Sequence, residues 1–396
     1  MNASTAMPGL GAPFNWRKLD RLLEVHDIDV LIASSKHNIQ YLLGGYRFFF
    51  FDAFDAIGVS RYLPLFVYFR HKPDQATYIG NRMEAFEEAL GKFWVSHVVN
   101  RHWGTLDAMH GAIEAILSIT SNPKTIGIES AFLPADAYHA LEVEFPNSRI
   151  VDALVPLERL RAVKTPTELG LLKEASERVV AAILAAFANH ASGAPKSALI
   201  QSLKIEEVKR GLNFEYCLST AGNDTNRAPS DRPWCAGEIA SLDSGGNLGG
   251  YIGDLCRMGI LGKPDNELED LLAEVDAIQM AARKPIRHGA IGASVFEEAE
   301  WQLAISPHRK NIDFMAHGVG LISHEAPRLT GKGAVPYSGD DATRPLEIGI
   351  VISIETTLIH PVRGFIKLED TVAVTDTGWE AYGDTGRGWN IVESSH

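Results

Sequence analysis

Apolar positions along this chain recur in two periods, and each change of period marks an element. From Trp16 to Asp27 they fall at helical spacing, and the chain then enters Ile28-Asp29-Val30-Leu31-Ile32, the pattern of a buried strand. A helix is expected over residues 37–43, strands over 63–69 and 76–80, and helices over 82–90 and 106–118. Ile126-Gly127-Ile128-Glu129 reads as a further strand and residues 135–145 as a helix. Strands alternating with helices predict an α/β layer over residues 14–155.

A boundary follows at Thr165-Pro166-Thr167-Glu168, where an N-cap threonine, a proline in the first turn and a glutamate three residues on announce a helix. That helix runs to about Ala191 and is followed, past Gly193-Ala194-Pro195, by another through Arg210. Beyond Phe214 the pattern becomes β-rich, with helices interposed at 267–284 and 294–305. Residues 239–245 and 251–260 read as antiparallel strands joined by a turn containing Gly245, Gly246, Gly249 and Gly250. In the next strand, alternation sets Val351, Ser353 and Glu355 on one face and Ile350, Ile352 and Ile354 on the other. No repeat or low-complexity stretch interrupts the chain.

Composition narrows the class. With 396 residues, 45% of them hydrophobic and 22% charged, the chain can bury the cores of two domains. A formal net charge of −13 speaks against nucleic-acid or anionic-membrane partners. Three cysteines without close spacing support neither a zinc knuckle nor a disulfide framework, and a cytoplasmic location is expected. The first fifteen residues have no signal-peptide pattern and read as a flexible arm.

Candidate chemistry gathers in the C-terminal half. Asp243, Asp254, His317, Glu355 and Glu369 are four carboxylates and one imidazole, a donor set suited to a pair of divalent ions that share bridging carboxylates. Each residue alone has an ordinary reading. The aspartates could end strands beside glycines, Glu369 could pair with Lys367, and His317 could be a satisfied core histidine. A carboxylate among the apolar residues around Glu355, however, needs a partner to be buried.

Several motifs resemble the pita-bread metallohydrolases, the family of aminopeptidase P, prolidase, creatinase and methionine aminopeptidase. They are Asp243-x-Gly245 with Tyr251, Asp254 and Arg257; His317-Gly318-x-Gly320 with His324, Glu325 and Pro327; and the Glu369-Asp370-Thr371 run. Upstream, Asp29-Val30-Leu31-Ile32 and Tyr41-Leu42-Leu43-Gly44 are similar to the family's N-terminal domain. The resemblance implies an α/β creatinase-like N-terminal domain over 16–160 and an α+β pita-bread catalytic domain over 161–396. It further implies two divalent ions per chain, manganese first, with cobalt, zinc or iron tolerated. Asp243 would bind one ion, His317 and Glu355 the other, and Asp254 and Glu369 both. Glu355 would move the proton of a metal-activated water, and His324 would stabilise the tetrahedral intermediate or bind the substrate carbonyl.

The implied activity is that of a Xaa-Pro dipeptidase or aminopeptidase P acting on a short peptide or small amide, in a homodimer. Three departures qualify it: Asn226 lies over a loop histidine of the peptidases, Thr356-Thr357 follows Glu355 where Pro-Gly is usual, and Lys367 replaces an arginine. A specialised non-peptidase on the same scaffold is the alternative, either a creatinase- or ectoine-hydrolase-like hydrolase or a dimethylsulfoniopropionate-type lyase. An inactive binding module is a further one. Substrate contacts are expected from Asn226 and His324. They are also expected from Arg47 and Phe48, in the aromatic strip Tyr46–Phe51 with Phe54 beyond, although that strip equally fits a packed core.

Overall fold

The structure, a computed structural model, describes residues 11–52, 62–332 and 338–393. The first ten residues of the expected arm, and Phe54, lie outside the described residues. The chain divides into two compact units, Met1–Arg161 and Ala162–His396.

In the first unit six strands form a mixed sheet: β1 (Val30–Ala33), β2 (Leu65–Phe69), β3 (Thr77–Asn81), β4 (His97–His102), β5 (Thr125–Ile128) and β6 (Arg149–Asp152), in spatial order β4-β3-β2-β1-β5-β6. Strand β1 pairs antiparallel with β2 and parallel with β5, and all four of its residues are buried. One face of the sheet packs Leu31, Phe66, Tyr68 and Tyr78, and the other packs Ile32, Val67, Ile79 and Ile126. Phe48 lies in the first of these cores at 5% exposure, its ring stacked on Phe50 and tilted against Phe49 and Tyr62. That burial supports the packing reading for Phe48, whereas Phe49 beside it is 68% exposed. Arg47 reaches the Gln40 side chain at 3.5 Å.

The second unit is built on an eight-stranded sheet. Its strands are β7 (Asn213–Ala221), β8 (Ile239–Leu248), β9 (Tyr251–Leu261), β10 (Ile312–Gly318), β11 (Val351–His360), β12 (Gly364–Val374), β13 (Trp379–Tyr382) and β14 (Asn390–Val392). The main path runs β10-β11-β12-β9-β8-β7, with β13 beside β12 and β14 beside β9. The expected start of helix Pro166–Ala188 is present. Thr165 accepts from Glu168 N, and Glu168 Oε2 accepts from Thr165 N at 2.7 Å. Glu168 Oε1 also takes the Tyr251 hydroxyl at 2.8 Å, which ties the helix cap to the first residue of β9. A Cβ on Gly253 would stand 2.7 Å from the Ala175 carbonyl carbon, so glycine lets this helix lie directly on the strand that carries Asp254.

The turn between β8 and β9 is tighter than the sequence suggests. Only Gly249 and Gly250 form it, both at positive φ, while Gly245 and Gly246 lie inside β8. Their missing side chains make room for packing. A Cβ on Gly245 would sit 2.4 Å from the Tyr216 ring, and one on Gly246 would sit 2.7 Å from Val179.

Glu207, on helix Lys196–Lys209, is fully buried and accepts from the Ser244 hydroxyl at 2.7 Å. Among the described residues its Oε2 has no hydrogen-bond partner. Burial, opposed by Ser244 and aided by Glu215, pushes its carboxyl up to about 7. A folded-state pKa above the unfolded value means that ionisation opposes folding. The penalty is absent below about pH 4, grows through the interval and is complete above about pH 7. Glu207→Gln should therefore stabilise the protein at pH 8 by about 1–3 kcal/mol and change little at pH 4. Urea unfolding at the two pH values checks this, and equal effects at both would refute it.

Candidate metal centre

The five candidate ligands stand on five adjacent strands, one on each. Across the sheet they run His317 on β10, Glu355 on β11, Glu369 on β12, Asp254 on β9 and Asp243 on β8. Register brings them level. Glu355 pairs directly with Glu369, Glu369 and Asp243 both face Cys256, and His317 lies opposite Ser353, two positions from Glu355. Side chains two apart on a strand share a face, so Ser353 also points into the cluster, where its hydroxyl donates to Glu369 Oε1 at 2.9 Å. On the opposite face Ile352 and Ile354 enter the core, as the alternation predicts.

Ligand atoms of Asp243, Asp254 and Glu369 lie within 4.8 Å of one another, as do those of His317, Glu355 and Glu369, and those of Asp254, His317 and His324. That spacing suits cations held at about 2.0–2.2 Å from each donor. The His317 ring fits the same purpose. Its Nδ1 lies 3.2 Å from the Gly318 carbonyl oxygen, the contact that would orient Nε2 as a lone-pair donor. Among the described residues Nε2 has no hydrogen-bond partner, though it is 1% exposed and lies 3.5 Å from Glu355 Oε1 and 4.0 Å from Glu369 Oε1. A buried, unsatisfied imidazole nitrogen facing two carboxylates is the donor arrangement a divalent ion requires.

Crowding sets the electrostatics. Burial, then the neighbouring Asp243, pushes Asp254 up to about 8, against the Tyr216 hydroxyl that donates to its Oδ1 at 2.7 Å. Burial and Asp254 likewise raise Glu369. Burial would raise Glu355 too, but Lys367 and His317 outweigh it and hold this carboxyl well below the usual range. At His317, burial is overcome by Glu355 and Glu369, which favour the imidazolium. His324 stacks on the His317 ring, with centroids 3.7 Å apart and planes at 12°. Burial, with His317 alongside, lowers His324 to about 4, which leaves a neutral imidazole at physiological pH.

Two cations enter the same cluster. Lys367 Nζ lies 2.6 Å from Asp243 Oδ2, 2.5 Å from Glu355 Oε2 and 2.9 Å from Glu369 Oε2. Arg227 donates to Asp243 Oδ2 as well, its guanidinium resting 5.3 Å over the Phe365 ring. Lys367 was read from the sequence as a partner for Glu369; its reach to two further carboxylates, and the arrival of Arg227 and Tyr216, were not. Asn226 is exposed, and its Oδ1 accepts from Ala228 N while its own N–H donates to Asp224 Oδ1. The side chain closes its own turn, and the contact with the carboxylates belongs to Arg227, one residue on.

The sequence model of metallopeptidase family M24 matches residues 160–376, and that of the creatinase/prolidase N-terminal domain matches residues 16–163. The chain belongs to metallopeptidase family M24. It is accordingly a metal-dependent hydrolase of the two-domain, pita-bread type. Among its M24 relatives, a Xaa-Pro dipeptidase of Lactobacillus delbrueckii subsp. lactis is 24% identical over 386 residues, covering 96% of this chain and 99% of the relative. A probable dipeptidase PepE of Mycobacterium tuberculosis (strain ATCC 25618 / H37Rv) is 30% identical over 228 residues, covering 56% and 58% respectively. The solved Xaa-Pro dipeptidase from Bacillus anthracis shares the fold at a TM-score of 0.78 and 20% identity, over 95% of this chain and 99% of that one.

Proposed function

We propose that this M24 enzyme hydrolyses a short peptide or small amide of the Xaa-Pro dipeptidase type, with Asp243, Asp254, His317, Glu355 and Glu369 as ligands of two divalent ions, manganese first. The observation that carries the reading is the convergence of one donor from each of five adjacent strands on a single buried cluster. Bound ions would lower the pKa of a water and so supply a hydroxide nucleophile near neutral pH. Glu355 then accepts and returns the proton, and the neutral His324 ring offers a hydrogen bond to the developing oxyanion. The relatives named as Xaa-Pro dipeptidases support a peptide substrate. Among the described residues no helix is long and apolar enough to cross a membrane. The homodimer and the cytoplasmic location belong to this reading through the family resemblance and the composition.

Arg227 favours a second reading. A guanidinium 35% exposed at the edge of the carboxylate cluster can pair with an anionic end of a non-peptide substrate. Metal-stripped protein restored with manganese should hydrolyse Xaa-Pro dipeptides at least about 100-fold faster than the stripped protein. Turnover confined to non-peptide amides would select the second reading, and metal-independent rates on every substrate would overturn both.

A further inference from the structure

We propose that Lys196 is a positioning residue: its buried ammonium grips the loop just before Arg227 and so aims that guanidinium at the anionic end of the substrate. The inference rests on the reading of Arg227 given above, and it applies to any substrate that ends in a carboxylate, a dipeptide included.

Nothing local explains a lysine at this position. Lys196 is the first residue of helix Lys196–Lys209, where the helix dipole disfavours a positive charge. The residue is 0% exposed, so the ammonium has also given up its water. What the side chain reaches in return is a loop: Nζ donates to the Asn226 carbonyl oxygen at 2.5 Å. A hydrogen bond from a charged donor is among the strong ones, and here it falls on the peptide that joins Asn226 to Arg227.

Arg227 is held on both sides. The carbonyl before it takes Lys196 Nζ, and its own carbonyl takes Ser219 N from β7 at 3.0 Å. The same helix end holds the returning arm of the loop, where Lys196 N donates to the Arg232 carbonyl at 2.8 Å and Ser197 N to that of Ser230 at 3.0 Å. Those are N–H groups that the first turn of a helix leaves without partners of its own. Arg227 therefore leaves a backbone fixed at both peptide bonds, and its guanidinium arrives at Asp243 and over the Phe365 ring, 35% exposed. A guanidinium carries five N–H donors, so the contact with Asp243 leaves others for a second carboxylate. A planar fork already held in place loses little freedom on meeting one.

The test compares two ligands of the manganese-loaded full-length protein, alanyl-proline and alanyl-prolinamide, which differ only in the anionic end. Affinity is read by calorimetry in a Glu355→Gln background, where turnover does not intrude, and KM and kcat are read with Glu355 intact. Arg227→Gln should weaken alanyl-proline by about tenfold or more, the scale of a charge-assisted contact, and leave the amide within about twofold. Lys196→Met should show the same split, in affinity and in KM with kcat little changed. The double variant should be no weaker than Arg227→Gln alone, because Lys196 acts through that residue. Should the methionine variant fail to fold by circular dichroism, Lys196→Gln, a shorter and neutral donor, takes its place with the same split expected. Unchanged affinities or equal losses on the two ligands in the Lys196 variant, or additive losses in the double variant, would overturn the inference and leave Arg227 its role. Alanyl-proline bound no better than its amide by the protein with Lys196 and Arg227 intact would overturn the reading of Arg227, and this inference with it.

Discussion

Glu355→Gln should give a folded, metal-binding protein whose kcat is lower by about 100-fold or more, the usual contribution of a general acid–base group. Glutamine keeps the size of the side chain and one carbonyl donor but cannot accept a proton. The surroundings of Glu355 add a condition. Its carboxyl is held well below the ordinary range by Lys367 and His317 in spite of burial, and a carboxylate held that low is a weak base. Steady-state kinetics on manganese-loaded protein, with metal content measured on the same sample, separates loss of the proton carrier from loss of metal. A metal-replete Glu355→Gln enzyme within tenfold of wild type would remove this residue from the chemistry.

Asp370→Ala should be among the most destabilising single substitutions in the molecule, costing about 3–5 kcal/mol. The carboxylate of Asp370 is buried and meets three guanidinium groups: Arg257 at 2.9 Å, Arg283 at 2.8 Å and Arg387. Removing it takes the carboxylate from the enclosed Arg257, whereas Arg283 keeps Asp384 and Arg387 keeps Asp276. Arg257 also donates to the Glu369 carbonyl oxygen at 2.8 Å, so the same cluster fixes the backbone beneath a candidate ligand. Burial opposes ionisation of Asp370, but Arg257, Arg387 and Arg283 outweigh it and depress the folded-state pKa. A depressed carboxyl contributes stability that is present above the unfolded value, near 4, and lost as pH falls through the folded one. The gap between wild type and Asp370→Ala should accordingly narrow in strong acid. Urea unfolding of metal-free protein from pH 7 downward measures it, and a difference below about 1 kcal/mol at pH 7 would show that the arginines find other partners.

What the sequence made legible follows from how local each signal is. The helix at Thr165 was readable because its cap is written in four consecutive residues, and the ligand strands because alternation marks a face without reference to any other strand. Strands β4 and β6 were not foreseen: both lie at sheet edges, where HVVNRH and RIVD are largely half-buried or exposed and show no clean period. The glycines of β8 misled because glycine signals a turn and a close approach equally well, and only the Tyr216 ring distinguishes them at Gly245. Arg227 and Tyr216 could not be placed because their reach depends on long-range register. Tyr216 follows a register shift in the pairing of β7 with β8, and Arg227 belongs to the loop beyond β7. The carboxylates were visible as residues, whereas the cations that share their oxygens become visible only as neighbours in space.

The order of strands across the sheet differs from their order in the chain, and this decides when the site can exist. Strand β12 lies between β11 and β9, and it brings Glu369 to the middle of the cluster only after residues 364–374 have been synthesised. Before that point Asp243 and Asp254 are held by one hairpin, while His317 and Glu355 belong to a separate pair of strands. The two halves of the candidate cluster are therefore joined only by the last of the five strands to be made, and the full donor set exists only once β12 has docked between β11 and β9.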